Sequence, residues 1–191
     1  MRLSDGMILY HGSYAPVRHV DLSRCATGKD FGRGFYLTSD ELQARRFIRT
    51  SLRKAQGLGT APREQSFGFV SSFQFKKPDS PLFVRQFPEA DASWLWFVAS
   101  NRRTALAEVL VDKLDPSLGS ADVIVGKVAN DATNPVITTY LNGLYGPIDE
   151  PGSSEIAIKL LLPSRLKDQY CFRTERAVKC LEPLEVTRFE A

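Results

Sequence analysis

Three short stretches hold the side chains best suited to chemistry. They are Leu9-Tyr10-His11-Gly12-Ser13, then Asp30-Phe31-Gly32-Arg33-Gly34-Phe35-Tyr36-Leu37-Thr38, and far downstream Asp168-Gln169-Tyr170-Cys171-Phe172-Arg173-Thr174. His11 is one of two histidines, and the glycine after it leaves room beside the imidazole. Tyr36 offers a rigid aromatic face that can stack on a flat ring. Gly32 and Gly34 let the backbone turn sharply or approach a ligand closely. Gln169 can hydrogen-bond through its amide, but it carries no charge and cannot serve as a general base. Taken singly, each of these residues has an ordinary structural role: a capping histidine, a packed tyrosine, a turn glycine.

The elements that must position them read as follows. Met7–Tyr10 is a short apolar strand ended by His11-Gly12-Ser13. Phe35–Leu37 is the next strand, and Thr38 with Glu41 fits a capping box. A helix follows over Asp40 to about Gln56, with Ala44, Phe47, Ile48, Ser51, Leu52 and Ala55 on one face and arginines on much of the rest. Phe67, Phe69, Phe73 and Phe75 alternate along Ser66–Lys76, which predicts a long strand with a buried aromatic face. A shorter strand covers Leu82–Phe87. Ala92–Asn101 and Thr104–Leu114 read as helical, until Asp115-Pro116 and Gly119 break the pattern. Ala121–Val128 is a continuous apolar run, typical of a buried strand. Thr133–Leu144 and Ser154–Leu162 look helical, with Pro147, Pro151 and Gly152 between them and Pro163 closing the second. Tyr170–Phe172 is a strand, Thr174–Leu181 a short helix or turn, and Leu184–Phe189 a final strand. Strands and helices mix without strict βαβ alternation, so the class is α+β.

Composition bounds the function. A length of 191 residues suits one domain with a full core, and 43% apolar content is that of a globular protein. The net charge of +3 does not by itself argue for nucleic acid. Cys25, Cys171 and Cys180 form no CxxC pair or Cys/His cluster, so neither zinc nor a disulfide framework is indicated. No secretory or membrane-spanning run is visible, and a cytoplasmic protein is expected. There is no Walker A sequence and no Gly-x-Ser-x-Gly elbow, and Gly32-Arg33-Gly34 is too short for a dinucleotide fingerprint.

Together the three stretches resemble the DUF3990 proteins, in the His-Tyr branch of the ADP-ribosyltransferase superfamily. The family pattern is a Tyr-His-Gly-Ser strand, an Asp-Phe-Gly-basic-Gly-Phe-Tyr-Leu-Thr strand, and a late Gln-x-x-Phe segment leading into a short helix. Trp94–Arg103 and Asp122–Asp131 also resemble it. The resemblance implies a single domain over residues 1–191 with an ADP-ribosyltransferase-like fold: two small packed β-sheets, flanking helices and an NAD cleft. His11, Tyr36 and Gln169 would converge there as catalytic residues. His11 would bond the ribose on the adenosine side of NAD and Tyr36 would stack on nicotinamide. Gly12, Ser13, Arg33, Gly34 and Thr38 would complete the cofactor contacts, the two glycines by making room and Arg33 by meeting the pyrophosphate.

The implied reaction moves ADP-ribose from NAD to a macromolecule, protein or nucleic acid, and releases nicotinamide without a metal. The implied setting is a bacterial toxin paired with a separate antitoxin, or an effector delivered into a target cell's cytosol. His-Tyr transferases usually carry a glutamate where Gln169 stands. Asp30, Asp131, Glu155 and Glu175 are therefore alternative carboxylates. Two other functions use the same cleft: an NAD glycohydrolase, and a non-catalytic module that binds NAD, ADP-ribose or a protein.

Overall fold

The computed structural model describes residues 2–128, 134–161 and 166–191. Its strands are β1 (Ile8–Ser13), β2 (Phe35–Leu37), β3 (Phe67–Phe75), β4 (Val84–Gln86), β5 (Val123–Lys127), β6 (Asp168–Phe172) and β7 (Leu181–Glu190). They form two small sheets. Sheet A is antiparallel, in the order β1-β3-β7. Sheet B has the order β2-β6-β5-β4, with β4 and β5 parallel and the other pairs antiparallel. The class is mixed α+β, as the patterning predicts.

Strand alternation divides the side chains between two faces. Leu9, Phe73 and Phe75 of sheet A meet Phe35, Leu37, Val123, Val125, Tyr170 and Phe172 of sheet B in a core between the sheets. The outer face of sheet A packs Val70 under Ala44 and Ile48 of α1 (Glu41–Gly57). The outer face of sheet B carries Ile124 and Cys171. These pack under α2 (Ala92–Arg102), α4 (Asn134–Leu141) and α5 (Pro151–Leu161), which supply Trp94, Val98, Ile137, Tyr140, Ala157 and Leu161. Two one-turn helices, α3 (Leu106–Val109) and α6 (Glu175–Val178), complete the described set. No described helix is long and apolar enough to cross a membrane.

Several details differ from the sequence expectation for physical reasons. The cap of α1 is Asp40, which accepts from the Gln43 amide, while the Thr38 hydroxyl donates to the Gln43 side chain. Phe47 is exposed, because four small or branched residues already fill the α1 contact with sheet A. The phenylalanines of β3 do share a face, but only Phe73 and Phe75 are buried. Phe67 and Phe69 pack edge to face on each other near the strand start. The helical region after Arg103 breaks into α3 and a 3-10 turn over Val111–Lys113. Pro151 opens α5 rather than ending the loop before it, since its missing N–H would be unpaired in a first turn anyway. β7 starts earlier than predicted and includes Pro183, which an edge strand tolerates. Pro163, read as a helix stop, lies outside the described residues.

Asp122, just before β5, ties α6 to sheet B. Its carboxylate accepts from Arg176 at 2.5 and 2.8 Å, from the Thr174 hydroxyl at 2.7 Å and from the Phe83 amide at 2.8 Å. The Arg176 guanidinium above all holds its pKa down to about 2, against an ordinary 3.8. The stability this contributes is present above the unfolded value and is lost as pH falls through the folded one. Asp122→Asn should therefore lower the melting temperature at neutral pH and flatten the acid limb of a stability profile below pH 3.8. An unchanged acid limb would remove Asp122 as its cause.

Candidate functional site

β1 and β2 run antiparallel but share one bridge, Tyr10 with Thr38, whose N–H groups donate to each other's carbonyls at 2.8 and 3.0 Å. Alternate residues of a strand turn their backbone groups to the same side. The Tyr36 carbonyl therefore also faces β1, past the bridge. His11 takes up that position, with Nδ1 2.9 Å from the Tyr36 oxygen. A carbonyl only accepts, so Nδ1 carries the hydrogen. Burial lowers the imidazole pKa, and the bond to Tyr36 opposes this more weakly. The ring is then neutral near neutral pH, and Nε2 is an acceptor. The imidazole lies against Phe35, with ring centroids 4.6 Å apart.

Tyr36 projects from the opposite face of sheet B to Phe35 and Leu37, as alternation requires. Its hydroxyl donates to the Gly32 carbonyl at 2.8 Å and accepts from the Phe31 amide at 2.9 Å. Burial pushes the phenol pKa up, which keeps it protonated and a donor. The ring stacks on Phe31, itself fully buried against Phe87 and Phe97. Gly32 has φ +77°, and a Cβ there would fall 2.7 Å from the Asn101 side-chain oxygen. The positive φ favours glycine in this turn, while the contact with the Asn101 side-chain end is one that a shift of that side chain would relieve.

The pinned loop carries Asp30 to Gln169. Gln169 Nε2 donates to Asp30 Oδ2 at 3.0 Å and to the Lys127 carbonyl at 3.1 Å, and that carbonyl also accepts from Trp94 Nε1 at 3.0 Å. Asp30 Oδ1 accepts from Arg102 Nε and Nη2 at 2.9 and 2.7 Å, and Arg102 Nη1 reaches Asn134. Both Asp30 and Gln169 are buried. The geometry explains why an amide stands at position 169, because it must donate to a carboxylate and a carbonyl at once. Gln169→Glu should lower stability by about 1–3 kcal/mol through the lost donors. The substitution would set a second carboxyl beside Asp30, and the later ionisation of that pair would be raised above its unfolded value. Stability would then be retained at low pH and lost as pH rises through that raised pKa. Thermal melts across pH check this, and a variant more stable at high pH than at low would contradict it.

The remaining expected site residues are placed as follows. The space Gly12 leaves is taken by protein: a Cβ there would fall 1.8 Å from the Ala44 carbonyl oxygen of α1. At Gly34 a Cβ would meet Cys171 Sγ at 2.5 Å and the Phe172 carbonyl at 2.8 Å. The room expected for a cofactor at these glycines is room for a helix and for β6. Ser13 is buried and accepts a long 3.5 Å bond from the Ala15 amide. Thr38 is buried, and its oxygen also accepts from the Asp40 amide. Arg33 turns to the Leu22 and Ser23 carbonyls, at 3.1 and 2.6 Å, and supports the 3-10 turn there. Glu175 opens α6 in the helix-start role expected for it, and Glu155 is exposed on α5. Asp131 lies outside the described residues. No group of metal-ligating side chains occurs among the described residues.

The structure thus joins His11, Tyr36, Asp30 and Gln169 in one chain of contacts. It adds Arg102, which sequence reasoning passed over: it is 72 positions from Asp30, and no local pattern marks the pairing. No curated protein matches the sequence. The pattern of DUF3990, described as proteins of unknown function, matches residues 7–182. That match spans most of the chain, all of the strands from β1 to β6 and each of the residues joined above, and the protein belongs to the DUF3990 family.

Proposed function

We propose that the protein is an ADP-ribosyltransferase that moves ADP-ribose from NAD to a macromolecular acceptor. The observation that supports this best is the seating of His11 on the Tyr36 carbonyl where β1 and β2 part, with the Tyr36 hydroxyl pinning the loop that brings Asp30 to Gln169. In this reading neutral His11 accepts a ribose hydroxyl at Nε2, and the Tyr36 ring lies beside nicotinamide. Asp30 fixes the Gln169 amide with nitrogen toward itself, which leaves Oε1 to accept a second ribose hydroxyl. The glycosidic C–N bond breaks with its electron pair leaving on nicotinamide. In this reading the Asp30 carboxylate faces the ribose as positive charge develops there, and a preorganised charge favours that state. The acceptor then bonds to the ribose carbon and loses its proton to water or to a base it brings itself.

A toxin restrained by a separate antitoxin, or an effector acting in a target cell's cytosol, is the setting this chemistry suits. One observation favours a second reading, a module that binds NAD or ADP-ribose without cleaving it: both Asp30 oxygens are already engaged by Arg102 and Gln169. The test is nicotinamide release from NAD with and without cell lysate, for the wild type and His11→Ala. Release that needs lysate and is lost in the variant supports the transferase. Equal release in buffer alone makes the protein a glycohydrolase, and NAD binding without release makes it the binding module.

A further inference from the structure

We infer that the exposed side of α1 binds single-stranded nucleic acid through its phosphate backbone. Residues 42–63 hold six of the chain's 25 basic residues, Arg45, Arg46, Arg49, Arg53, Lys54 and Arg63, and none of its 22 acids. The segment therefore carries +6, while the rest of a chain of net charge +3 carries −3. All six are exposed, and none forms an ion pair among the described residues. Arg45, Arg49 and Arg53 recur at every fourth position of the helix and form one row, about 6 Å apart along its axis. Like charges at that spacing destabilise a helix, and a face built only for solvation alternates its signs. An anionic chain that meets each arginine in turn relieves that repulsion.

Other features choose the partner. Five of the six cations are arginines, whose flat fork of donors matches a phosphate group. The Arg45 guanidinium lies 4.5 Å over the Phe189 ring, which orders it before a strand arrives. Phe47 is 47% exposed and lines up with Lys54, two turns further along α1. A free aromatic ring beside cations gives an unpaired base a surface to stack on, and bases held in a duplex cannot reach it. The apolar side of α1, with Ala44, Ile48, Leu52 and Ala55, is buried within the protein. The helix therefore keeps no apolar face with which to enter a bilayer.

The surface reaches the loop that carries Asp30. Burial, and then the positive field of Lys54, lower the Lys29 pKa, so the last turn of α1 lies beside the residue that precedes Asp30. A strand laid along α1 would run toward the contacts around Asp30 and Gln169.

Fluorescence anisotropy with a labelled single-stranded oligonucleotide of about 16 nucleotides tests the assignment. Wild-type protein should bind it with a Kd of about 1–100 µM at physiological salt and lose affinity steeply as salt is added. Arg49→Gln combined with Arg53→Gln should weaken binding about tenfold. It should also flatten the slope of log affinity against log salt by about 1.4, two phosphates at about 0.7 each. Phe47→Ala should weaken binding about fivefold and leave that slope unchanged. All three side chains are exposed, so their replacement leaves the core intact. Lys113→Gln combined with Lys159→Gln removes the same charge from the side of sheet B away from α1, where Lys113 stacks on Trp96 and Lys159 lies on α5. That pair should change affinity by about twofold or less, since salt screens distant charges. Absence of binding to the folded wild type, undiminished binding by the arginine pair, or an equal loss in the lysine pair would each overturn the assignment. So would tighter binding of polyglutamate, of a duplex of the same length or of anionic lipid vesicles than of the single strand. Binding is read without NAD, so the result stands whether or not nicotinamide is released.

Discussion

Replacing Tyr36 with alanine should cut lysate-dependent nicotinamide release at least about 100-fold, the scale on which small misplacements of reacting groups act. Two losses combine. On the proposed transferase reading the ring beside nicotinamide goes, and with it go the hydroxyl bonds to Phe31 and Gly32 that hold Asp30 against Gln169. Tyr36→Phe separates them. It keeps the aromatic face but leaves the Phe31 amide and Gly32 carbonyl without their partner, which costs about 1–3 kcal/mol where such groups are buried. Release by Tyr36→Phe should fall between wild type and Tyr36→Ala, with NAD affinity less affected than turnover. A folded Tyr36→Ala protein that releases nicotinamide at the wild-type rate would sink the transferase reading.

Gly12→Ala should be the most destabilising small substitution in the molecule. The added carbon would fall 1.8 Å from the Ala44 carbonyl oxygen and 2.6 Å from its carbon, both backbone atoms of α1. No side-chain rotation relieves such an overlap. Either α1 or β1 must move, and both belong to the packing of Ile48 and Val70 on sheet A. Overpacking of this kind costs about 3 kcal/mol or more. For a chain of this size that lowers the melting temperature by about 6–12 °C. Gly57, the last residue of α1, is the control, because nothing lies within 4 Å of a Cβ there. Gly57→Ala should be neutral or stabilising by up to about 1 kcal/mol. Equal melting temperatures for the two variants would contradict the packing argument.

Much of this is legible in the residues. Period-two and period-3.6 patterns mark β1, β2, β3, β5, β6 and α1 because each element buries one face or both, and burial writes its period into the sequence. The position of Tyr36 on a strand follows from the same reading, which sets His11 just past the end of one strand and Gln169 just before the start of another; β1 and β6 extend to include both. The partners that hold those side chains do not follow from it. That His11 bonds the Tyr36 carbonyl depends on β1 and β2 separating after one bridge, a tertiary event with no local signature. The glycines mislead for a related reason. Gly12 and Gly34 do mark close approaches, but composition cannot say whether a ligand or the protein's own backbone approaches. Thr38 and Glu41 match a capping box, yet Asp40 sits closer to the first helical turn and takes the role.

The strand order carries a consequence for synthesis. β3 pairs with β1 near the start and with β7, the last strand, while β2 finds its partner β6 more than 130 positions later. Contacts so distant in sequence are slow to form, because a long loop must close before any bond rewards it. Neither sheet can finish on the ribosome until residues 168–190 have emerged. Asp30 likewise meets Gln169 only then. A nascent or truncated chain would lack the assembled set of contacts altogether, so whatever chemistry that set supports begins only once the final strands dock.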